Sequence, residues 1–350
     1  MSDIRDDLTK TIDRVFEEHC GKPVRESAEG GDWPAALWHA LEEVGLTAAA
    51  LPESAGGSGL AFDDAMFALR RSAYHAAPVP LAETMLAGRL LTAAGLAVPA
   101  GALTVAPVRV GDRLDVIAGS AGHTVSGIAH RVPWGNQCPH AVVVGALDGK
   151  AMVGLVATAG IAGGVEKNLA GEPRATLHFT AAPLIAAAAL ENAAGRLATE
   201  GALCRSVQMA GALERTLEYA LLYANERVQF GRPIGKFQAI QHMLAVLAGQ
   251  VAASSAAADA AVEASGEAPD EFMVAVAKSR IGEAAGKAAE IAHQVHGAMG
   301  YTREHNLHYV TRRLWSWRDE FGNETHWQTR LGRMIATKGA DALWPMLTDR

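Results

Sequence analysis

At 350 residues, 49% hydrophobic and 20% charged, the chain is long enough for a large buried core and for two or three structural segments. A net charge of −7 argues against a general nucleic-acid binder. Three cysteines (Cys20, Cys138 and Cys204) without a C-x-x-C pair read as reduced thiols, which excludes a disulfide framework.

From the start to about residue 100 the pattern is helical. Leu8, Ile12, Val15 and Phe16 recur at helical spacing, and residues 33–44 put Trp38, Leu41 and Val44 on one face before Gly45 stops the helix. Residues 52–59 form a loop by composition, and further helices are expected over 61–75 and 80–94. The acidic N-terminus has neither signal- nor transit-peptide character, so no targeting segment is expected. From residue 102 to about 182 the texture changes to short Val-, Thr-, Gly- and Ile-rich runs separated by turn residues, which predicts a small antiparallel sheet or barrel. The longest apolar run, 181–190, is too short to cross a bilayer, so a cytoplasmic location without membrane insertion is expected. The rest is helical and alanine-rich, over 188–228, 238–264, 270–299, 309–317 and 324–338, the pattern of a four-helix bundle. The expected fold is thus α+β: a helical domain over 1–100, a middle β-barrel over 101–185 and a helical bundle over 186–350.

One stretch carries more information than the rest, Arg227-Val-Gln-Phe-Gly-Arg-Pro-Ile-Gly-Lys-Phe-Gln238. A long helix ends there, Gly231 and Pro233 force a turn, and a new helix starts near Phe237. An arginine at such a turn can hold a pyrophosphate through paired, charge-assisted hydrogen bonds, although a surface arginine at a plain helix–helix turn has the same pattern.

These residues resemble the R-x-x-F-G-x-P-I-x-x-F-Q signature of the acyl-CoA dehydrogenase family. Gln294-Val-His-Gly-Ala-Met-Gly-Tyr301 is similar to that family's Q-x-x-G-G-x-G-[FY] segment, and Gly45-Leu followed by 51–59 is similar to its GL...PE..GG.G tract. The resemblance covers nearly the whole chain and agrees with its segment order. It implies FAD bound between subunits, removal of two hydrogens from an acyl-CoA to give a 2-enoyl-CoA, and onward transfer of electrons to an electron-transfer flavoprotein. By motif, Arg227, Gln229, Phe230, Ile234 and Gln238 would contact FAD, and Gln294, Gly297 and Ala298 would contact the FAD of a neighbouring subunit. That implies a homodimer or homotetramer, or a heterotetramer with a second chain of the family.

The family's base usually precedes a glycine downstream of the second glycine motif. Aligned on Gly322, that position holds Phe321, with Glu320 one residue earlier and Glu324 three later. Glu320 is the candidate catalytic base, offset by about 100° if the backbone were helical. A minority of the family carries the base on the first bundle helix, where this chain has Gly201 beside Glu200; Glu200 reads as a solvated helix residue. Thr104 and Trp134 mark the tracts that would approach the flavin. His293, His296, His305 and His308 lack a matching carboxylate pattern, and no metal is expected there. Two readings follow: an active FAD-dependent acyl-CoA dehydrogenase with Glu320 as base, or a non-catalytic subunit supplying an interface and part of the FAD site.

Overall fold

The computed structural model describes residues 2–120 and 122–348. Five helices open the chain: α1 (Ser2–His19), α2 (Lys22–Gly30), α3 (Ala35–Glu43), α4 (Phe62–Tyr74) and α5 (Leu81–Ala93). Ile12, Val15 and Phe16 of α1 join Trp38 and Leu41 of α3 in the core, as their spacing predicts; Leu37 joins them in place of Val44, which lies past the helix end and is exposed. Gly45, in the left-handed region at φ 73°, turns the chain after α3.

Seven strands follow: β1 (Leu103–Ala106), β2 (Leu114–Gly119), β3 (Gly122–Pro133), β4 (His140–Leu147), β5 (Lys150–Ala157), β6 (Ala162–Lys167) and β7 (Pro173–Ala189). The pairings β2–β3, β3–β7, β7–β5, β5–β4 and β4–β2 close on themselves as a barrel. It differs from the expected sheet in two respects. β1 and β2 run parallel to β4, because β1 enters from the helical domain and lies buried between the barrel and α5, where Leu103 N donates to Thr84 Oγ1. And β7 is long, reaching Ala189, four residues past the expected boundary, so the first bundle helix begins at Ala193 rather than near 188. Small side chains, Ala129, Ala141, Val143 and Ala175 among them, fill the barrel with Phe179.

The third segment holds α6 (Ala193–Glu226), a two-residue hairpin of β8 (Val228–Gln229) and β9 (Arg232–Pro233), then α7 (Gln238–Glu263), α8 (Glu271–His296), α9 (Leu307–Asp319), α10 (Glu324–Lys338) and α11 (Leu343–Thr348). Capping fixes two starts: Asp270 accepts from Met273 N at 2.8 Å and Asn323 from His326 N at 3.1 Å. α8 lies at the centre of the bundle, touching α6, α7, α9 and α10, and its buried Ala277, Ala284, Ala285, Ala288 and Ala292 allow close helix approach. Gly211 does the same between α4 and α6, since a Cβ there would stand 2.0 Å from Arg70 O. Among the described residues α7 alone is long and apolar enough to cross a membrane by length and composition; its Leu247, Val251, Ala258 and Val262 face the bundle instead.

Candidate active site and cofactor surface

The turn between α9 and α10 is where all three segments meet. Glu320 caps α9 in an extended conformation, Phe321 sits at φ 55° and Gly322 at φ 93°, so the backbone is a loop and not a helix. Trp327 Nε1 donates to Phe321 O at 3.0 Å and fixes the loop. The Phe321 ring turns onto α6 at Gly201, where an added Cβ would lie 2.3 Å from Cδ1 and 2.5 Å from Cε1. The two positions at which the resemblance allows a base are therefore a phenyl ring and a glycine packed on each other, and Phe321 is buried.

Glu320 turns the opposite way, into a chain of buried charges. Arg174 of β7 donates to Glu320 Oε1 from Nε at 2.9 Å and Nη2 at 2.5 Å, and Arg205 of α6 donates to Oε2 at 2.8 Å. Arg205 also donates to Glu83 of α5 and, at 2.5 Å, to Gln208. Arg174 continues to Glu172 at 3.1 Å, which takes a further bond from Trp317 Nε1 at 3.1 Å and lies 3.2 Å from Arg313. Three carboxylates face three guanidiniums, and the arrangement ties α5, α6, α9 and β7 together. Burial works to raise the proton affinity of Glu320, but the charges of Arg174 and Arg205 override it and hold the pKa below the usual carboxylate range. Burial acts on Glu172 in the same sense, but the charges of Arg313 and Arg174 override it and lower its pKa to about 2. A general base for an α-proton needs a pKa near the working pH, so the environment of Glu320 pushes it in the opposite direction.

Lys278 of α8 closes this region from below. It is fully buried and donates to the last carbonyls of α9, Trp317 O at 3.2 Å and Arg318 O at 2.6 Å. Burial lowers its pKa to about 7, against the attraction of Glu320. The folded value lies below the unfolded one of about 10.4, so the folded state binds fewer protons between those limits and stability rises with pH across them. The urea midpoint of the wild type relative to Lys278→Met should accordingly rise from pH 7 to pH 10; a constant difference would mean that Lys278 stays charged.

A cavity of about 570 Å³ opens beside Phe321, between the loop after β1 (Pro107, Arg109, Arg113) and Ala194, Ala198, His326 and Arg330. Neither expected flavin neighbour faces it. The Thr104 hydroxyl donates to Pro133 O, and Trp134 is buried with its ring 6.5 Å from Trp33, in an edge contact.

At the far end of α6 the motif residues are displayed. Arg227 caps the helix and accepts from Ile234 N at 2.8 Å through its carbonyl. Gln229 pairs with Arg232, leaving Phe230 (φ 51°) and Gly231 (φ 77°) as a two-residue turn with both φ positive. Phe230 is 91% exposed, and Arg227, Gln229 and Gln238 are also exposed, whereas Ile234 turns inward and is buried. At the same end of α8, Gln294, Gly297 and Ala298 are exposed and Gly297 has φ 58°. Tyr223 of α6 stacks on His296 at 4.6 Å, which brings the two segments to one end of the bundle. The histidines pack here as neutral rings: His293 stacks on Tyr301 and Trp315, His296 lies 4.5 Å from His305, and burial lowers His305 and His308 to about 4. Among the described residues no group of three or more His, Cys, Asp or Glu is placed to hold a metal ion.

The exposed arginine, glutamines and open glycine turns fit a dinucleotide's phosphates; the internally bonded Thr104 and the buried Trp134 do not fit its ring. Glu200, read as solvated, is buried, and Arg196 at 2.9 Å and Arg89 at 3.3 Å neutralise it. Arg174, Glu172 and Glu83 carried no sequence signal, since their partners lie up to 146 residues away.

Comparison with known proteins agrees with this architecture. The family profile "Acyl-CoA dehydrogenase, N-terminal domain" matches residues 2–97 and "Acyl-CoA dehydrogenase, C-terminal domain" matches residues 190–320. The acyl-CoA dehydrogenase IpdE2 of Mycobacterium tuberculosis is 30% identical over 87% of this chain and 89% of that protein. The ChsE4–ChsE5 complex of Mycobacterium tuberculosis contains a chain that superposes with a TM-score of 0.84 at 25% identity, over 95% of this chain and 97% of that one. A Tcur3481–Tcur3483 steroid ACAD superposes with a TM-score of 0.87 at 24% identity, over 97% and 99%. From its motifs, its three-segment fold and these relatives, the chain belongs to the acyl-CoA dehydrogenase family.

Proposed function

We propose that this chain is the non-catalytic subunit of a heteromeric, FAD-dependent acyl-CoA dehydrogenase, supplying the interface and the phosphate half of an FAD site. The observation that carries this reading is the contact of Phe321 with Gly201, which leaves both positions for a base without a carboxylate. The paired state of Glu320 supports it, as does the likeness to chains whose solved structures are two-protein complexes. Arg227 would pair with the pyrophosphate, Gln229 and Gln294 would donate to neighbouring oxygens, and the turns at Gly231 and Gly297 would let backbone N–H groups approach. Bound FAD supplies the hydride acceptor for the β-carbon of an acyl thioester. The partner chain would provide the α-proton base and the ring pocket, and the complex would pass electrons to an electron-transfer flavoprotein.

The test is an absorbance spectrum of the chain purified alone, and again after co-expression with its family partner, before and after anaerobic addition of acyl-CoAs. No flavin band is expected from the chain alone, and a band that bleaches from the complex. In the complex, Arg227→Ala should weaken FAD retention about tenfold or more, in line with the loss of a charge-assisted bidentate contact. A chain that bleaches by itself would overturn the reading.

A further inference from the structure

Arg174 and Arg205 converge on one carboxylate from two different segments, and together they grip both of its oxygens. The two arginines are almost wholly buried, at 2% side-chain exposure each, whereas Glu320 retains 18% and sits on the loop between α9 and α10. The guanidiniums are anchored without it, Arg174 by Glu172 and Pro173 O and Arg205 by Glu83 and Gln208. Taking Glu320 away therefore leaves two positioned forks and an uncompensated positive charge, in a space the size of a carboxylate. Arg174 directs two N–H donors at one oxygen and Arg205 reaches the other, so the pair of guanidiniums holds a planar carboxylate by both of its oxygens.

We propose that Arg174 and Arg205 form a carboxylate-recognition site whose resident ligand is the chain's own Glu320, and that an external small mono- or dicarboxylate takes its place when Glu320 is absent or displaced. Tethering gives Glu320 an effective concentration in the millimolar range or above, so the wild type is self-occupied at ordinary solute concentrations. This inference is independent of the subunit role.

The test is thermal unfolding of the full chain carrying Glu320→Ala, in formate, acetate or glutarate, against chloride and sulfate at matched ionic strength. The unfolding temperature should rise by several degrees with carboxylate and saturate, as binding to the folded state alone requires. The wild type should not respond at the same concentrations. In Glu320→Ala/Arg205→Met the response should disappear. A rise no larger than that produced by chloride, or one that persists in the double variant, would overturn the site. If Glu320→Ala does not stay folded, the same anions are added during refolding; a carboxylate-dependent yield of soluble monomeric or complexed chain supports the site, and equal yields in all salts refute it.

Discussion

Replacing Arg205 with methionine should cost the fold about 3–5 kcal/mol, the range for removing one member of a buried ion pair. Methionine keeps the apolar stem but strands Glu83, and leaves Glu320 bonded to Arg174 through one oxygen only. The loss is a charge effect, not a volume effect, and pH distinguishes them. In the wild type the depressed pKa of Glu320, and that of Glu172 at about 2, give stability that is fully present above the unfolded carboxylate value and is lost as pH falls through the folded values. In Arg205→Met, Glu320 has lost one of the two guanidiniums that offset its burial and takes up a proton more readily, so the variant loses less on acidification. The gap in urea midpoint between the two proteins should be widest near pH 7 and narrow below about pH 5, where unpaired carboxyls begin to protonate. A gap under about 1 kcal/mol at pH 7, or one that does not depend on pH, would mean that the network is solvated and contributes little.

The same network marks the limit of what the amino-acid order revealed. Helices α3, α4 and α10 were legible within a residue or two because their apolar residues recur at helical spacing, with Gly45 following α3, Asn323 preceding α10 and Gly339 following it. The turn forced by Gly231 and Pro233 was legible because its chemistry is local; that it is a two-residue hairpin on Phe230 and Gly231 was not. Partners 115 and 146 residues apart, such as Arg205 or Arg174 with Glu320, leave no local trace. Glu200 was misread for a related reason: its neutralising Arg89 comes from α5, 111 residues away. The parallel pairing of β1 with β4 was likewise hidden, since periodicity reports which residues face inward but not which strand lies alongside. The candidate base shows the sharper case. Motif alignment put Phe321 and Gly201 at the two base positions, and only the backbone at φ 55° and 93° reveals that the loop uses the freedom to aim Phe321 at Gly201 and Glu320 away from it.

If that contact is a built closure, Gly201→Ala should destabilise the chain by about 1–3 kcal/mol even though alanine favours a helix interior. The new methyl would overlap three ring atoms of Phe321 at 2.3–2.6 Å, and a ring held between Gly201 and the loop fixed by Trp327 has little room to shift. Phe321→Ala should cost about 3–5 kcal/mol through the cavity it opens. The double variant should be less damaged than the sum of the two, because the methyl then enters the space the ring has vacated, and the coupling should amount to about 1–2 kcal/mol. Additive losses would mean that the ring already leaves Gly201 free in solution and that the base position is open. The coupled outcome also bears on chemistry: a carboxylate installed at residue 201 cannot reach the cavity while the ring is present, so any gain of α-proton abstraction in a Gly201→Glu chain should require Phe321→Ala alongside it. Deuterium exchange at the α-carbon of an acyl-CoA, catalysed by the double variant and by neither single one, is the measurement that would separate a closed site from a merely empty one.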